Sequence, residues 1–384
     1  MLDEFQGNIF ADIIEKHPEI KQQFSGFTYY PNTLSHGSTT WKSISAITGG
    51  PDFQMQYMPQ KKYTYKKAKT DQNLIYTALD IAYLKNMAMA EKYNHSYSIF
   101  NPPYAECKLF NSYNNSICSR KVFINKELQT QKNRIYKPSS AYRTAKFFAQ
   151  LSLVLSMPHP TKNRVGSFIA GNYYEAYVAT IYQYAQLQNL SDFANLSSHK
   201  KTFKFFENRI THNIWMLNKE CKIVNQNFND YQGLFNSGYC SLSLLNKFFN
   251  KLKLLEIYDK TKIIIVSDHG TNSINSKNYN IQPNKASALL LVKDFNQSDE
   301  FKISMQFMSN MDTYGIALSG VSEGKNIQLD RIKTPKKNRS LIHIQLVSPS
   351  STYNITEAYM VKDNIFNKNN WEKLNQDQIQ QLSQ

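Results

Sequence analysis

Apolar and polar positions along the chain alternate in two rhythms, one helical and one of short buried strands. Asp12–Phe24 reads as a short helix and Gly26–Asn32 as an extended aromatic segment. In the stretch from Ser35 to Pro51, Gly37 and Ser38 are turn and N-cap types, and Gly49-Gly50-Pro51 is a stop signal. A helix of about two and a half turns is therefore predicted from near Thr39 to Thr48. Asn73–Tyr93 and Ala141–Met157 carry helical spacing, the second stopped by Pro158 and Pro160. Ser241–Leu255 is amphipathic through Leu242, Leu244, Leu245, Phe248, Phe249 and Leu252. Strands are expected at Tyr97–Phe100, Phe203–Ile210, Lys262–Val266 and Ala288–Val292, and Leu341–Val347 alternates. Residues 105–140 read as polar loop.

Helices alternating with apolar β-branched strands whose ends carry polar residues predict an α/β fold. Its centre would be a mainly parallel sheet with helices on both faces. Active sites in such sheets lie beyond the carboxyl ends of the strands, which nominates Asp3, His212 and Asp268-His269. The helix–strand rhythm fades after residue 296 into the basic segment Asp330–Ser340. A main domain of residues 1–325 is expected, with residues 326–384 a small strand-rich extension or subdomain packed on it.

Composition narrows the class. The 384 residues are 41% hydrophobic and 13% aromatic, which excludes a disordered chain. No run of about 18 apolar residues occurs, so no transmembrane helix is expected, and Met1-Leu2-Asp3-Glu4-Phe5 is not a secretory start. The net charge of +16 favours anionic partners. Nucleic acid is not the expected one, because no zinc-finger spacing, RNP signature or basic heptad occurs. Lys61, Lys62, Lys66, Lys67 and Lys69, interleaved with Tyr63 and Tyr65 in Tyr57–Thr70, read either as a solvated loop or as a face for anionic lipid headgroups. Four cysteines without CxxC spacing argue against a zinc knuckle. Cys107–Cys118 and Cys221–Cys240 would suit short disulfide loops in an oxidising compartment, and four buried thiols is the other reading.

Two segments carry chemistry. Asp268-His269 follows a buried strand, and a carboxylate beside an imidazole suits Zn²⁺, or next Mn²⁺, better than Ca²⁺. The same dipeptide also reads as a capping Asp and a surface His. In Ser35-His36-Gly37-Ser38-Thr39-Thr40, a hydroxyl in the first turn of a helix meets unpaired N–H groups that attract an anion. Thr40 or Ser38 could serve there as a nucleophile activated by a metal, or the segment could be a plain Ser/Thr cap. His36 and Asn101 are weaker candidates for substrate contact, and His159 is read as structural.

Together, Ser35-His36-Gly37-Ser38-Thr39-Thr40 and Val266-Ser267-Asp268-His269-Gly270 resemble motifs of the alkaline phosphatase superfamily, sulfatase-domain branch. The likeness is to phosphoethanolamine transferases and lipoteichoic acid synthases rather than to formylglycine sulfatases, whose Cys/Ser-x-Pro-x-Arg motif is missing. The resemblance implies a sulfatase-like catalytic domain over residues 1–325. It implies Thr40 as nucleophile, His212 as a catalytic histidine, and one divalent metal, zinc before manganese, on Asp3, Thr40, Asp268 and His269. Glu4 is the alternative to Asp3. Ser38, Thr39, His36 and Asn101 would line the substrate. Thr211-His212-Asn213-Ile214 lacks the proline that follows the family's histidine, and no His lies between His269 and His343.

The implied activity is transfer of phosphoethanolamine or phosphoglycerol from a phospholipid to an envelope glycan or lipid acceptor. Hydrolysis of phosphate or sulfate esters, or a decayed regulatory role, are the alternatives. The resemblance also implies the periplasmic face of the inner membrane, with membrane association in a full-length form and an apolar strand upstream of Asp3.

Overall fold

The computed structural model describes residues 1–50, 95–100, 116–119, 128–130, 173–194, 201–224, 226–271, 284–319, 340–345 and 357–382. The expected helices at 73–93 and 141–157, the basic stretch 57–70, Asn101, Cys107 and His159 lie outside the described residues.

The central sheet orders β6 (Ile263–Val266), β7 (Leu290–Lys293), β1 (Phe27–Tyr29) and β8 (Lys302–Ile303) side by side. A second sheet sets β3 (His95–Phe100) between β4 (Ser116–Ser119) and β5 (Lys201–Phe206). Met1 and Leu2 join the two. Leu2 pairs in parallel with Asn208, just past β5, and its N–H donates to Val266 O at 2.9 Å.

The α/β layering matches the expectation, with a refinement in strand direction. The β3, β4 and β5 half is parallel, whereas β7 runs antiparallel to both β6 and β1. Strand direction is decided by the route of the connecting chain, which apolar patterning does not encode. Ser116–Ser119 forms a strand within the stretch read as loop, because parallel pairing with β3 holds a Ser-Ile-Cys-Ser segment too short to stand out from its polar surroundings.

Alternate residues of the run Leu289–Val292, which leads into and along β7, divide the core. Leu289 and Leu291 pack with Phe10 and Ile13 of α1 (Gly7–Lys16) and Phe249 of α5 (Tyr231–Leu254). Leu290 and Val292 pack with Ile44 and Ile47 of α3 (Thr40–Gly49) and Ile316 of α6 (Asp312–Leu318). A sheet covered on both faces needs apolar side chains at every position, hence the unbroken run Leu289–Val292.

The helix expected over Asp12–Phe24 is two helices, α1 and α2 (Glu19–Gln23), because Pro18 lacks the N–H needed to continue the first. α5 begins well before Ser241. Asp230 caps it by accepting from Gly233 N–H at 2.8 Å, and its early turns hold Gly233, Ser237 and Gly238, which weaken the apolar signal. Gly238 is required there, since a Cβ would stand 2.7 Å from the Phe5 ring.

Of the two readings of the cysteines, Cys221–Cys240 is a disulfide, spanning 19 positions and tying the chain after β5 to α5. Chain-entropy arguments give about 3 kcal/mol for a loop of this size. Denaturant unfolding of a Cys221→Ser/Cys240→Ser variant and of wild type, both without reductant, is expected to differ by that order. Equal midpoints would remove the disulfide as a stabilising element.

The C-terminal strands β10 (Ser340–Gln345), β11 (Glu357–Lys362) and β12 (Trp371–Lys373) form an antiparallel three-stranded sheet. Leu341, Val361 and Ile365 pack against Leu34, Ala46 and Met311 of the preceding chain. Among the described residues, no helix is long and apolar enough to cross a membrane.

Candidate active site

Three chain segments meet at the carboxyl ends of the strands. Asp3 N–H donates to Asn208 O at 3.0 Å, which delivers the Asp3 side chain between β5 and β6. Ser267 N–H pairs with Leu289 O at 3.0 Å and ends the β6 ladder, so Asp268 and His269 turn out of the sheet. Thr39, in an extended conformation, caps α3, and Thr40 is its first residue.

The result is a buried cluster. Asp3, Asp268 and His269 each offer a ligand atom within 4.8 Å of the others. Thr40 Oγ1 lies 3.4 Å from Asp3 Oδ1 and 3.4 Å from His269 Nε2. Asp268 Oδ1 accepts from the backbone N–H of Glu4 at 3.1 Å and of His269 at 2.9 Å. His269 Nδ1 lies 2.7 Å from Gly270 O, a carbonyl that can only accept, so Nδ1 carries the proton and Nε2 presents its lone pair to the cluster.

The electrostatics point to a cation. Burial raises the Asp3 carboxyl well above the ordinary carboxylate range, and the neighbouring charge of Asp268 adds to it. Burial also opposes the charge on Asp268, but His269 and the surrounding donors, Glu4 N–H among them, hold that carboxyl low. Asp3 Oδ2 and Asp268 Oδ2 are buried without a hydrogen bond. Two carboxylates, an inward imidazole lone pair and a hydroxyl fit a divalent ion of the zinc or manganese type. Of the two candidates at the N-terminus, Asp3 joins the cluster. Glu4 turns away, its Oε2 accepting from Asn213 N–H at 3.2 Å.

This arrangement predicts a proton balance. A cation favours the ionised form of the Asp3 carboxyl, whose proton affinity burial and Asp268 raise, so binding is expected to release protons and to weaken as pH falls. The sign for stability is the reverse. A carboxyl raised in the folded state contributes stability to the metal-free protein that is full below the unfolded carboxyl's pKa and is lost as pH rises from there through the folded one. Calorimetric zinc titrations in buffers of different ionisation enthalpy measure the release, and zero protons would contradict it.

His212 lies at the rim with its side chain 40% exposed, Nε2 being 3.9 Å from Glu4 Oε1. It reaches the cluster through Glu4, whose backbone holds Asp268. Thr39 Oγ1 is buried without a hydrogen bond, and Ser38 N–H donates to Ile344 O at 3.0 Å. His36 corrects the expectation of a substrate contact. It is wholly buried, neither ring nitrogen has a hydrogen-bond partner, and burial lowers its pKa to about 4.

Other residues were missed in sequence. Arg209 Nε lies 2.8 Å from buried Glu207 Oε1 and 3.4 Å from Asp3 Oδ2. The only signal was an acid and an arginine two apart at a strand end. Asn310, wholly buried, bridges the two motifs: its Nδ2 donates to Asp268 O at 2.6 Å and its Oδ1 accepts from His36 N–H at 3.0 Å. Ser35 Oγ lies 2.5 Å from Gly37 O and 2.8 Å from Asp268 O, two carbonyls that share its one hydrogen. Gly37 lies against Lys42, where a Cβ would approach Lys42 Cβ to 2.6 Å, and burial followed by Lys285 lowers the Lys42 pKa to about 7.

No family model matches the sequence, and no curated protein matches it. Solved structures do match in fold. The lipoteichoic acid synthase LtaP from Listeria monocytogenes superposes with a TM-score of 0.50 at 10% identity, covering 100% of this chain and 87% of that one. The two share a fold. The phosphonate monoester hydrolase SpPMH from Silicibacter pomeroyi gives 0.50 at 9% identity, covering 97% of this chain and 87% of that one. Ps i-CgsB, solved in complex with k-i-k-neocarrahexaose, gives 0.51 at 12% identity, covering 94% of this chain and 81% of that one. A synthase and a hydrolase thus share this fold, and the reaction has to be argued from the residues.

Proposed function

We propose that the protein is a metal-dependent enzyme that moves a phosphoryl-linked group, phosphoethanolamine or phosphoglycerol, from a phospholipid to an envelope glycan or lipid through Thr40. The observation that supports it is the Thr40 hydroxyl, set at a helix start and 3.4 Å from both Asp3 Oδ1 and His269 Nε2. Asp3, Asp268, His269 and Thr40 would hold one divalent ion, zinc before manganese. That ion supplies Lewis acidity, lowering the proton affinity of the Thr40 hydroxyl and offsetting charge on the transferred group.

The remaining work falls to the chain. Thr40 Oγ1, its proton passed to solvent because the loaded site would favour the alkoxide, forms a bond to phosphorus while the phosphorus–oxygen bond to diacylglycerol breaks. The departing oxygen takes a proton, and His212, exposed at the rim, is the group proposed to give it. An acceptor hydroxyl then attacks the same phosphorus, passes its proton to His212 and frees Thr40. The first amides of α3 stabilise the equatorial oxygens as charge builds. Thr39 and Ser38 flank Thr40 on the proposed substrate side. The donor places the reaction at a membrane, which we take to be the periplasmic face of the inner membrane. The net charge of +16 suits that anionic surface.

The test is to incubate zinc-loaded protein with vesicles of phosphatidylethanolamine or phosphatidylglycerol and to analyse the Thr40 peptide by mass spectrometry. A phosphoethanolamine or phosphoglycerol adduct on Thr40, with release of diacylglycerol, is the expected result. Turnover of a soluble phosphodiester without adduct or acceptor would favour the hydrolase reading. Neither adduct nor turnover would overturn both.

A further inference from the structure

The residues that carry the chemistry lie in the first 269 positions, yet the loop before Thr40 is held by the far end of the chain. His36-Gly37-Ser38 lies along β10 as a short parallel pairing, with Gly37 opposite Ile344. Ser38 N–H donates to Ile344 O at 3.0 Å, and Ile344 N–H donates to His36 O at 2.8 Å. The adjacent His343 ring closes the contact, its Nδ1 lying 2.7 Å from Ser35 O. His343 is wholly buried, and its Nε2 has no hydrogen-bond partner.

We propose that the C-terminal sheet is a working part of the site, with His343 the positioning residue that holds the loop delivering Thr40. The proposal rests on the transferase reading above. Because Ser35 O can only accept, His343 must carry its proton on Nδ1, and the ring is a neutral donor. Burial, with His36, Lys42 and His269 nearby, keeps it so by lowering its pKa to about 3. The Ser35 hydroxyl shares its one hydrogen between Gly37 O at 2.5 Å and Asp268 O at 2.8 Å, so the residue that receives the His343 donor also ties the loop to the turn of the Asp-His motif. An apolar residue in place of His343 would satisfy the packing and spare an unpartnered nitrogen. The histidine is therefore explained by the bond it makes to Ser35 rather than by filling space.

The test compares three variants. His343→Leu removes the donor, His343→Asn keeps an N–H near the place of Nδ1, and His343→Gln moves it one bond farther. Turnover, KM, zinc content and amide hydrogen exchange across residues 35–40 are measured in each. His343→Leu should lower kcat about 10²-fold, as expected for a misplacement near 1 Å, with KM and zinc content unchanged and faster loop exchange. His343→Asn should recover kcat to within about tenfold of wild type, and His343→Gln should not. Equal losses in Asn and Gln, or wild-type exchange and turnover in Leu, would overturn the proposal. If Leu fails to fold, the Asn–Gln comparison still decides. Exchange needs no turnover, so a wild type inert on every phosphodiester would sink the transferase reading while the loop contact is judged separately.

Discussion

Thr40→Ala is expected to abolish turnover of a phosphodiester by several orders of magnitude while leaving the fold and its melting temperature nearly unchanged. The large kinetic effect follows from loss of the atom that forms the covalent bond, since water positioned at random replaces it poorly. The small structural effect follows from position. Thr40 is the first helical residue, Thr39 occupies the cap, and the α3 core contacts come from Ile44 and Ile47. Ser38→Ala provides the control for register. If Ser38→Ala loses activity and Thr40→Ala keeps it, the nucleophile is misassigned. If neither matters, no covalent step runs through this loop.

Asp3→Asn is expected to separate metal binding from stability. The substitution keeps the shape and an oxygen facing Thr40 but removes one of two buried carboxylates. Zinc stoichiometry should fall from about one to near zero at micromolar protein, because two carboxylates and an imidazole are the charged or strongly donating set. The metal-free variant should nevertheless melt no lower than metal-free wild type at neutral pH. Burial and the charge of Asp268 make an ionised Asp3 a liability there, and the neutral amide does not share it. With excess zinc the order reverses, as a ligand at about 1,000 times its Kd stabilises by about 4 kcal/mol. Thermal shifts of both proteins with chelator and with zinc give the four values. Zinc binding by Asp3→Asn equal to wild type would exclude Asp3 as a ligand.

The elements that were legible share one property: their signal is local. The α3 boundaries near Thr39 and Gly49-Gly50 came from turn and stop residues, and β6 and β7 came from apolar runs covered on both faces. The errors arise where distant chain decides. The four-residue Ser116–Ser119 is a strand only because β3 lies beside it, and the start of α5 was hidden by small residues, of which Gly238 fits against Phe5 and Ile13.

The chemistry divides in the same way. From its residues alone, the sequence nominated a hydroxyl at a helix start and an Asp-His pair after a buried strand, because both signals are contained in fewer than ten consecutive residues. Only the tertiary structure could choose Asp3 over Glu4, turn His36 inward, and bring Arg209, Asn310 and His343 to the same place. Those choices depend on which backbone groups meet across up to 308 positions of chain. Residue type at one position records what a side chain can donate or accept, whereas its partner is set by the path of the sheet.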